Sequence, residues 1–423
     1  MDEIVIDDLA RPALSDTQRA VMEYAEGLVI DLTPAAIMAE AEEKTGLSDW
    51  GDSDFLARLA LLCDEWNGDE DLTATGRLSL RGKLLQHATG RLLIHDQFKR
   101  HPEILDVPIE RPIIVAGLPR SGTTHLLNLM AADQRLRSLP LWESYEPVPM
   151  PGESPMPDGS DPRYARCQAA WEGMQAVTPH LAAMHPMNPE HIHEELELMG
   201  PNFGSYNYEW LCHSPRWRDH YFAEDQTYQY EYMRDVLKLL TWQQRDSGRA
   251  KRWVLKCPQH LEQLPVLQRV FPDATVAITH RDPVAVIQSS VTMLAYGQRM
   301  SRRRVMMDEL LHYWTDRTEH LLRACVRDRG VLPESRSIDV PFGRLTSDDI
   351  GMVERIYAKA DLSMTAVARA SLDRFAQLHK DDYGRIRYDL EGQFGVSPAQ
   401  LRKRFAFYFE AFPFLREEGG TQP

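Results

Sequence analysis

The first 108 residues repeat at helical rather than strand spacing. Leu56, Leu59, Ala60 and Cys63 fall on one predicted helical face, and Leu78, Leu85, Leu92 and Leu93 continue that spacing. Thr33-Pro34 reads as an N-cap followed by proline at the first helical position. The pattern changes at residues 112–116, PIIVA, an unbroken apolar run of the kind that forms a strand buried on both faces. It leads through a glycine-bounded loop, residues 117–124, into a helical pattern over 125–130, the strand–loop–helix opening of an α/β unit. Further apolar strands are predicted at 253–256, 274–279 and 337–340, the second running into His280-Arg-Asp-Pro283 and another helix. The predicted fold is α/β, a parallel sheet flanked by helices, with a helical N-terminal extension over 1–108 and a helical C-terminal segment over 391–423. A large insertion, about 145–250, separates the first two strands. Insertions of this kind sit at the carboxyl edge of the sheet, where ligands bind.

Composition narrows the partners. Among 423 residues, 63 Asp and Glu outnumber 48 Lys and Arg, a net charge of −15. Nucleic-acid binding, which draws its affinity from cations on phosphates, is not expected. An anionic ligand must be held by a few local cations. The five cysteines (Cys63, Cys167, Cys212, Cys257, Cys325) form no C-x-x-C pair, and no run approaches the ~18 apolar residues of a membrane span. The N-terminus lacks a basic and then apolar leader. These features predict a cytoplasmic protein without a membrane span; oligomeric state is open.

The loop is P-loop-like. Gly117 and Gly122 have Walker spacing, but Thr123 stands where a nucleotide hydrolase needs lysine, and the cation lies inside the loop at Arg120. Backbone N–H groups at the following helix start, with glycines permitting close approach, suit a phosphate.

With the loop as PIIVAGLPRSGTTHL and the later stretch as ITHRDPVAVIQSS, residues 109–390 resemble the PAPS-dependent sulfotransferase family. PAPS is 3′-phosphoadenosine 5′-phosphosulfate. The resemblance implies that Arg120, Ser121, Gly122, Thr123 and Thr124 hold the 5′-phosphosulfate. It also implies that Arg281 and Ser289, the latter eight positions later, hold the 3′-phosphate. Phe342 in IDVPFGRL takes the place of an adenine-contacting aromatic, although Gly343-Arg344 replaces the family's acidic pair. Arg385 and Arg387 in GRIRYD either complete the 3′-phosphate site or form a solvated basic turn.

Sulfuryl transfer to a hydroxyl needs a base, and no metal. Glu143 follows the loop helix where several subfamilies carry a catalytic Glu, and His260 follows Lys256 at K-x-x-x-H spacing, where cytosolic members have K-x-H. His193-Glu194-Glu195 in the insertion is the third candidate. Each has a structural reading too: Glu143 as a salt-bridge partner, His260 as a satisfied early-helix residue, Glu194-Glu195 as an acidic helix start, and His191-x-His193-Glu194 as a metal cluster. Lys256, ending a buried strand, is read as a contact to the sulfonate or the bridging oxygen. The aromatic and Met-rich stretch between Trp171 and Tyr232 predicts core or the wall of a hydrophobic pocket for a small hydroxyl acceptor, while the acidic surface disfavours polyanionic glycans. Two other functions are open, a P-loop kinase or NTPase and a catalytically degenerate nucleotide-binding protein.

Overall fold

The structure, a computed structural model, describes residues 3–248, 252–378 and 384–415. A five-stranded sheet is formed by β2 (Ile113–Gly117), β3 (Leu136–Arg137), β4 (Arg252–Lys256), β5 (Thr275–His280) and β6 (Ser337–Pro341), in the order β3-β4-β2-β5-β6 and parallel throughout. Every residue of β2 and β5 is buried, because helices cover both faces and leave no polar side to alternate with. Val115 pairs with Lys256 and Gly117 with Thr279, so the glycine loop, Lys256, Arg281 and Phe342 all leave the sheet at its carboxyl edge. That register gathers the candidate residues on one side.

Before the sheet come the helices Asp16–Glu26, Pro34–Thr45, Phe55–Asn67 and Ala74–Arg100. Thr33 caps the second, its hydroxyl accepting from the Ala36 amide at 3.3 Å. The buried face of Phe55–Asn67 differs from the predicted one: Leu56 is 38% exposed, and Phe55, Leu59, Leu62, Cys63 and Trp66 point inward. Phe55 stacks between Trp50 and Phe203, and Arg58 is drawn inside to bond the Asn202 carbonyl, which rotates the helix away from the aliphatic pattern.

The 27-residue helix Ala74–Arg100 docks against the end of helix Pro283–Ser301. A Cβ on Gly76 would stand 2.3 Å from the Ser301 carbonyl oxygen, so only glycine allows this approach. Around it, Arg302 pairs with Asp69 at 2.7 Å and Arg304 with Asp71 at 2.9 Å.

A two-stranded parallel ladder was not foreseen: β1 (Glu3–Val5) pairs with β7 (Arg385–Arg387) and joins the two ends of the chain. Helices Leu390–Phe394, Pro398–Arg404 and Ala406–Ala411 follow, and residues 416–423 of the expected C-terminal helical segment lie outside the described residues. All five cysteines are buried and unpaired. No helix among the described residues is long and apolar enough to cross a membrane.

Candidate active site

Sterics dictate the loop. A Cβ on Gly117 would fall 2.0 Å from Thr279 Oγ1, and Gly122 has φ 86° with the Phe342 ring 3.1 Å from the position of its missing Cβ. Arg120 also has positive φ, 64°, a conformation that costs a non-glycine residue about 1 kcal/mol and is held here by the loop around it. Ser121 is buried and donates to the Leu118 carbonyl at 2.6 Å, with Thr279 Oγ1 2.7 Å away. Helix Thr123–Ala131 then begins with Gly122 as its cap and no side chain on its first amides, which leaves them for an anion.

Arg281, just past β5, lays its guanidinium 4.1 Å over the Phe342 ring and donates to the Arg120 carbonyl at 2.6 Å. Its Nε is buried without a partner, and burial lowers its pKa, with the Arg120 charge acting in the same direction. Asp282 caps helix Pro283–Ser301, accepting from the Val284 amide at 3.0 Å. About two turns further on, Ser289 accepts from Arg120 Nε at 2.9 Å, so the two sequence motifs meet directly. Arg120 also bonds the Met184 carbonyl in the insertion.

Ser289 donates to the Tyr388 hydroxyl at 2.9 Å. Tyr388 was not singled out from the sequence. Arg385 and Arg387 of the same segment are exposed, and Arg387 lies 3.8 Å from Glu3 across the terminal ladder.

Lys256 is buried at the end of β4 and faces the insertion. Its ammonium is ion-paired with the Glu194 carboxylate and lies 3.3 Å from Thr124 Oγ1. Burial raises the pKa of Glu194, with Lys256 opposing the rise. Behind it, Glu195 accepts from the Lys256 backbone N–H at 2.8 Å and lies 2.5 Å from His260 Nε2. His260 Nδ1 meets the Tyr230 hydroxyl at 2.8 Å, so both ring nitrogens are engaged in a fully buried pair.

Glu143 lies elsewhere. Both its oxygens accept from Arg137 at 2.8 Å, and Gln244 donates to it at 3.0 Å. The reason is the edge of the sheet. His193 donates its amide to the Leu139 carbonyl at 2.7 Å and Leu141 to the His191 carbonyl at 2.8 Å, so residues 191–195 run alongside 139–141 and bring Glu194, not Glu143, to Lys256.

A profile of the sulfotransferase family matches residues 112–366. This chain belongs to the sulfotransferase family. Among solved structures, sulfotransferase STF1 from Mycobacterium tuberculosis is 28% identical with TM-score 0.77, covering 90% of this chain and 100% of its own. Sulfotransferase STF9 from Mycobacterium avium is 25% identical with TM-score 0.79, covering 91% of this chain and 98% of its own. No curated protein matches.

In this sulfotransferase one cavity of about 780 Å³ connects the parts. Pro119, Arg120 and Gly122–Thr124 of the loop, Arg281 and Phe342 line one end, Lys256, Glu194 and His193 the middle, and Trp210, Leu294, Tyr313 and Trp314 the other. Neither Glu143 nor His260 lines it. Of the aromatic and Met-rich stretch, Met174, Met187 and Trp210 reach the cavity, while Phe203, Tyr206, Tyr208, Trp217 and Tyr221 are core. Further wall comes from helices Pro283–Ser301 and Met307–Asp328 and, unforeseen, from Ser79 and Lys83 of helix Ala74–Arg100.

The rings of His185, His191 and His193 cluster with centroids 5.8–6.1 Å apart. Burial holds all three neutral, pushing His185 to about 4, His191 to about 3 and His193 well below its usual range.

Proposed function

We propose that this chain transfers a sulfuryl group from PAPS to a hydroxyl on a hydrophobic small molecule, with Glu194 as general base. The observation that carries the proposal is the single cavity that joins the phosphate-type loop to a buried Lys–Glu pair and then to an apolar wall.

The loop end fits a nucleotide with two anionic groups. Arg281 has an orphaned buried Nε, its neighbour Arg120 forms no ion pair among the described residues, and no side chain caps the amides that open helix Thr123–Ala131. Arg120, Ser121, Gly122, Thr123 and Thr124 would hold the 5′ end, Arg281 and Ser289 the 3′-phosphate with Tyr388 beside them, and Phe342 the base. PAPS supplies the activated sulfuryl group and a phosphate leaving group.

Glu194 takes the proton of the acceptor hydroxyl as its oxygen bonds to sulfur. Its raised pKa makes it a stronger base than an ordinary carboxylate. Lys256, held between Glu194 and Thr124, faces the negative charge that develops on the departing oxygen. Glu195 and His260 are positioning residues, fixing the Lys256 backbone from behind.

Calorimetry with 3′-phosphoadenosine 5′-phosphate (PAP) in the absence of metal, followed by turnover of hydroxylated compounds with labelled PAPS, tests the reading. PAP binding with transfer to a hydroxyl is expected. ATP binding that requires Mg²⁺, with none by PAP, would replace it with the kinase reading.

A further inference from the structure

Exposure along the cavity wall is uneven. In the middle the wall is buried, with Lys256 2% and His193 5% exposed, and Trp314 beyond them is 4% exposed. Past Trp314, at the end remote from the phosphate loop, three lining residues are exposed to solvent: Ser79, Leu211 and Gly297. The cavity therefore has a mouth there, separate from the half-buried loop end where Arg120, Gly122 and Phe342 stand.

This mouth is built at one corner of the fold. Helix Ala74–Arg100 meets the end of helix Pro283–Ser301 at Gly76 and Ser301, and Ser79 and Gly297 each lie about one turn from that contact, one on each helix. Leu211 joins them from the insertion. Its neighbour Trp210 packs on Trp314 with ring centroids 4.0 Å apart, and Cys212 Sγ is 3.9 Å from the Arg302 guanidinium. The corner is pinned. Thr73 donates its hydroxyl to the Met300 carbonyl at 2.6 Å and its amide to the Ser301 carbonyl at 3.1 Å, while Leu72 and Arg302 form an antiparallel bridge. The mouth is thus a fixed opening and not a flap.

Its chemistry says what passes through. The three rim residues are small or apolar; His213 and Gln298 beside them are polar, and burial holds His213 neutral. The nearby cations are matched, Arg302 by Asp69 at 2.7 Å and Arg304 by Asp71 at 2.9 Å, so nothing calls for a charged group. Further in, Leu294, Leu310, Tyr313 and Trp314 offer apolar surface that an alkyl chain buries favourably. A closed chamber limits the length of its guest; one open at its far end does not.

We propose that the acceptor is a long amphiphile whose hydroxyl lies at Glu194 and whose uncharged tail runs past Trp314 and leaves the protein between Ser79, Leu211 and Gly297. This rests on the reading of Glu194 as the base for a PAPS-dependent transfer. It makes Ser79 and Gly297 specificity residues, tolerant of chain length because they are small.

The test uses three phenols as acceptors with labelled PAPS, alongside PAP calorimetry: 4-ethylphenol, 4-dodecylphenol, and 4-dodecylphenol extended at its terminal carbon by a short polyethylene glycol. Dodecylphenol is expected to exceed ethylphenol in kcat/KM on the order of tenfold or more, with the glycol-tagged compound within a few fold of the untagged one. A Cβ on Gly297 meets no atom within 4 Å, so a tryptophan there has room to form and narrows the mouth. A short phenol needs the opening only in passing, whereas a threaded tail occupies it throughout. Gly297→Trp and, independently, Ser79→Trp should therefore bring the dodecyl-to-ethyl ratio towards one and cut the tagged compound most, with PAP binding reporting that each variant is folded. Loss of turnover on tagging, read in the wild-type enzyme, overturns the inference. So does equal turnover of the two untagged phenols, or a ratio unchanged in both variants. Binding of PAP with turnover of none of the three overturns it as well. Failure of the wild-type enzyme to bind PAP is a different result, which removes the donor reading and this inference with it.

Discussion

At the loop end of the cavity, Arg120 and Arg281 donate to a hydroxyl and to backbone carbonyls and form no ion pair among the described residues. At the acceptor end, Lys83, Lys256 and Arg302 each face a carboxylate. Cations held without counter-charge in a partly buried site mark a place for an anion; charges already matched mark a place for a neutral guest. A chain of net charge −15 can therefore offer an anion a site by keeping its unmatched cations local. The two ends also differ in origin. The loop end hangs on strand termini, and the other end on the insertion, helix Ala74–Arg100 and helices Pro283–Ser301 and Met307–Asp328.

The strongest way to break this division is at its middle. Glu194→Gln is expected to lower kcat by ~10²–10⁴ with PAP affinity near wild type; a variant with full activity on a genuine acceptor, chemistry being rate-limiting, would exclude Glu194 as base. Glu143→Ala should act on the fold instead. It strands Arg137 in a buried site, which costs ~3–5 kcal/mol in urea unfolding, whereas a stable but inactive protein would return Glu143 to the chemistry. At the loop end, Arg281→Ala should weaken PAP binding on the order of tenfold or more and leave acceptor KM alone, and an equal loss on both would show that the ends are not separable. A smaller effect is expected of Tyr388→Phe, which removes one hydroxyl from Ser289 and should weaken PAP by a few fold in the same calorimetry. The pH profile sharpens the middle further. A protonated Glu194 cannot accept, so kcat/KM falls as pH drops through its pKa, and burial places that limb above the ordinary carboxylate value of ~4.3. A limb unmoved by Glu194→Gln would point to another group.

The sequence was legible where chemistry is local. A strand, a glycine loop and a helix start are contiguous, so Arg120 through Thr124 could be read together, and Arg281 with Ser289 needed only the turn and cap between them. Lys256 stood out as a lysine in an apolar strand. Glu194, the base proposed here, was harder to single out because its place beside Lys256 depends on residues 191–195 lying against 139–141, a pairing of two irregular segments with no periodic signal. His193-Glu194-Glu195 was visible as a candidate, but nothing along the chain ranked it above Glu143. Lys83 was hidden for a different reason. It sits in a helix whose spacing speaks only of packing, and its place in the cavity wall appears once Gly76 and Ser301 bring that helix to the cavity. Tyr388 depends on a ladder between residues at opposite ends of the chain.

That ladder has a consequence for biosynthesis. As the chain leaves the ribosome, the loop and Arg281 emerge early, but Tyr388 and the strand that pairs with Glu3–Val5 follow about a hundred residues later, on the order of ten seconds at ordinary elongation rates. During that interval β1 waits without its partner strand, and Ser289 without the hydroxyl that completes its surroundings. A nascent chain halted before residue 385 would carry the loop and both arginines yet lack the Tyr388 hydroxyl on Ser289, so these surroundings are completed in two separate steps.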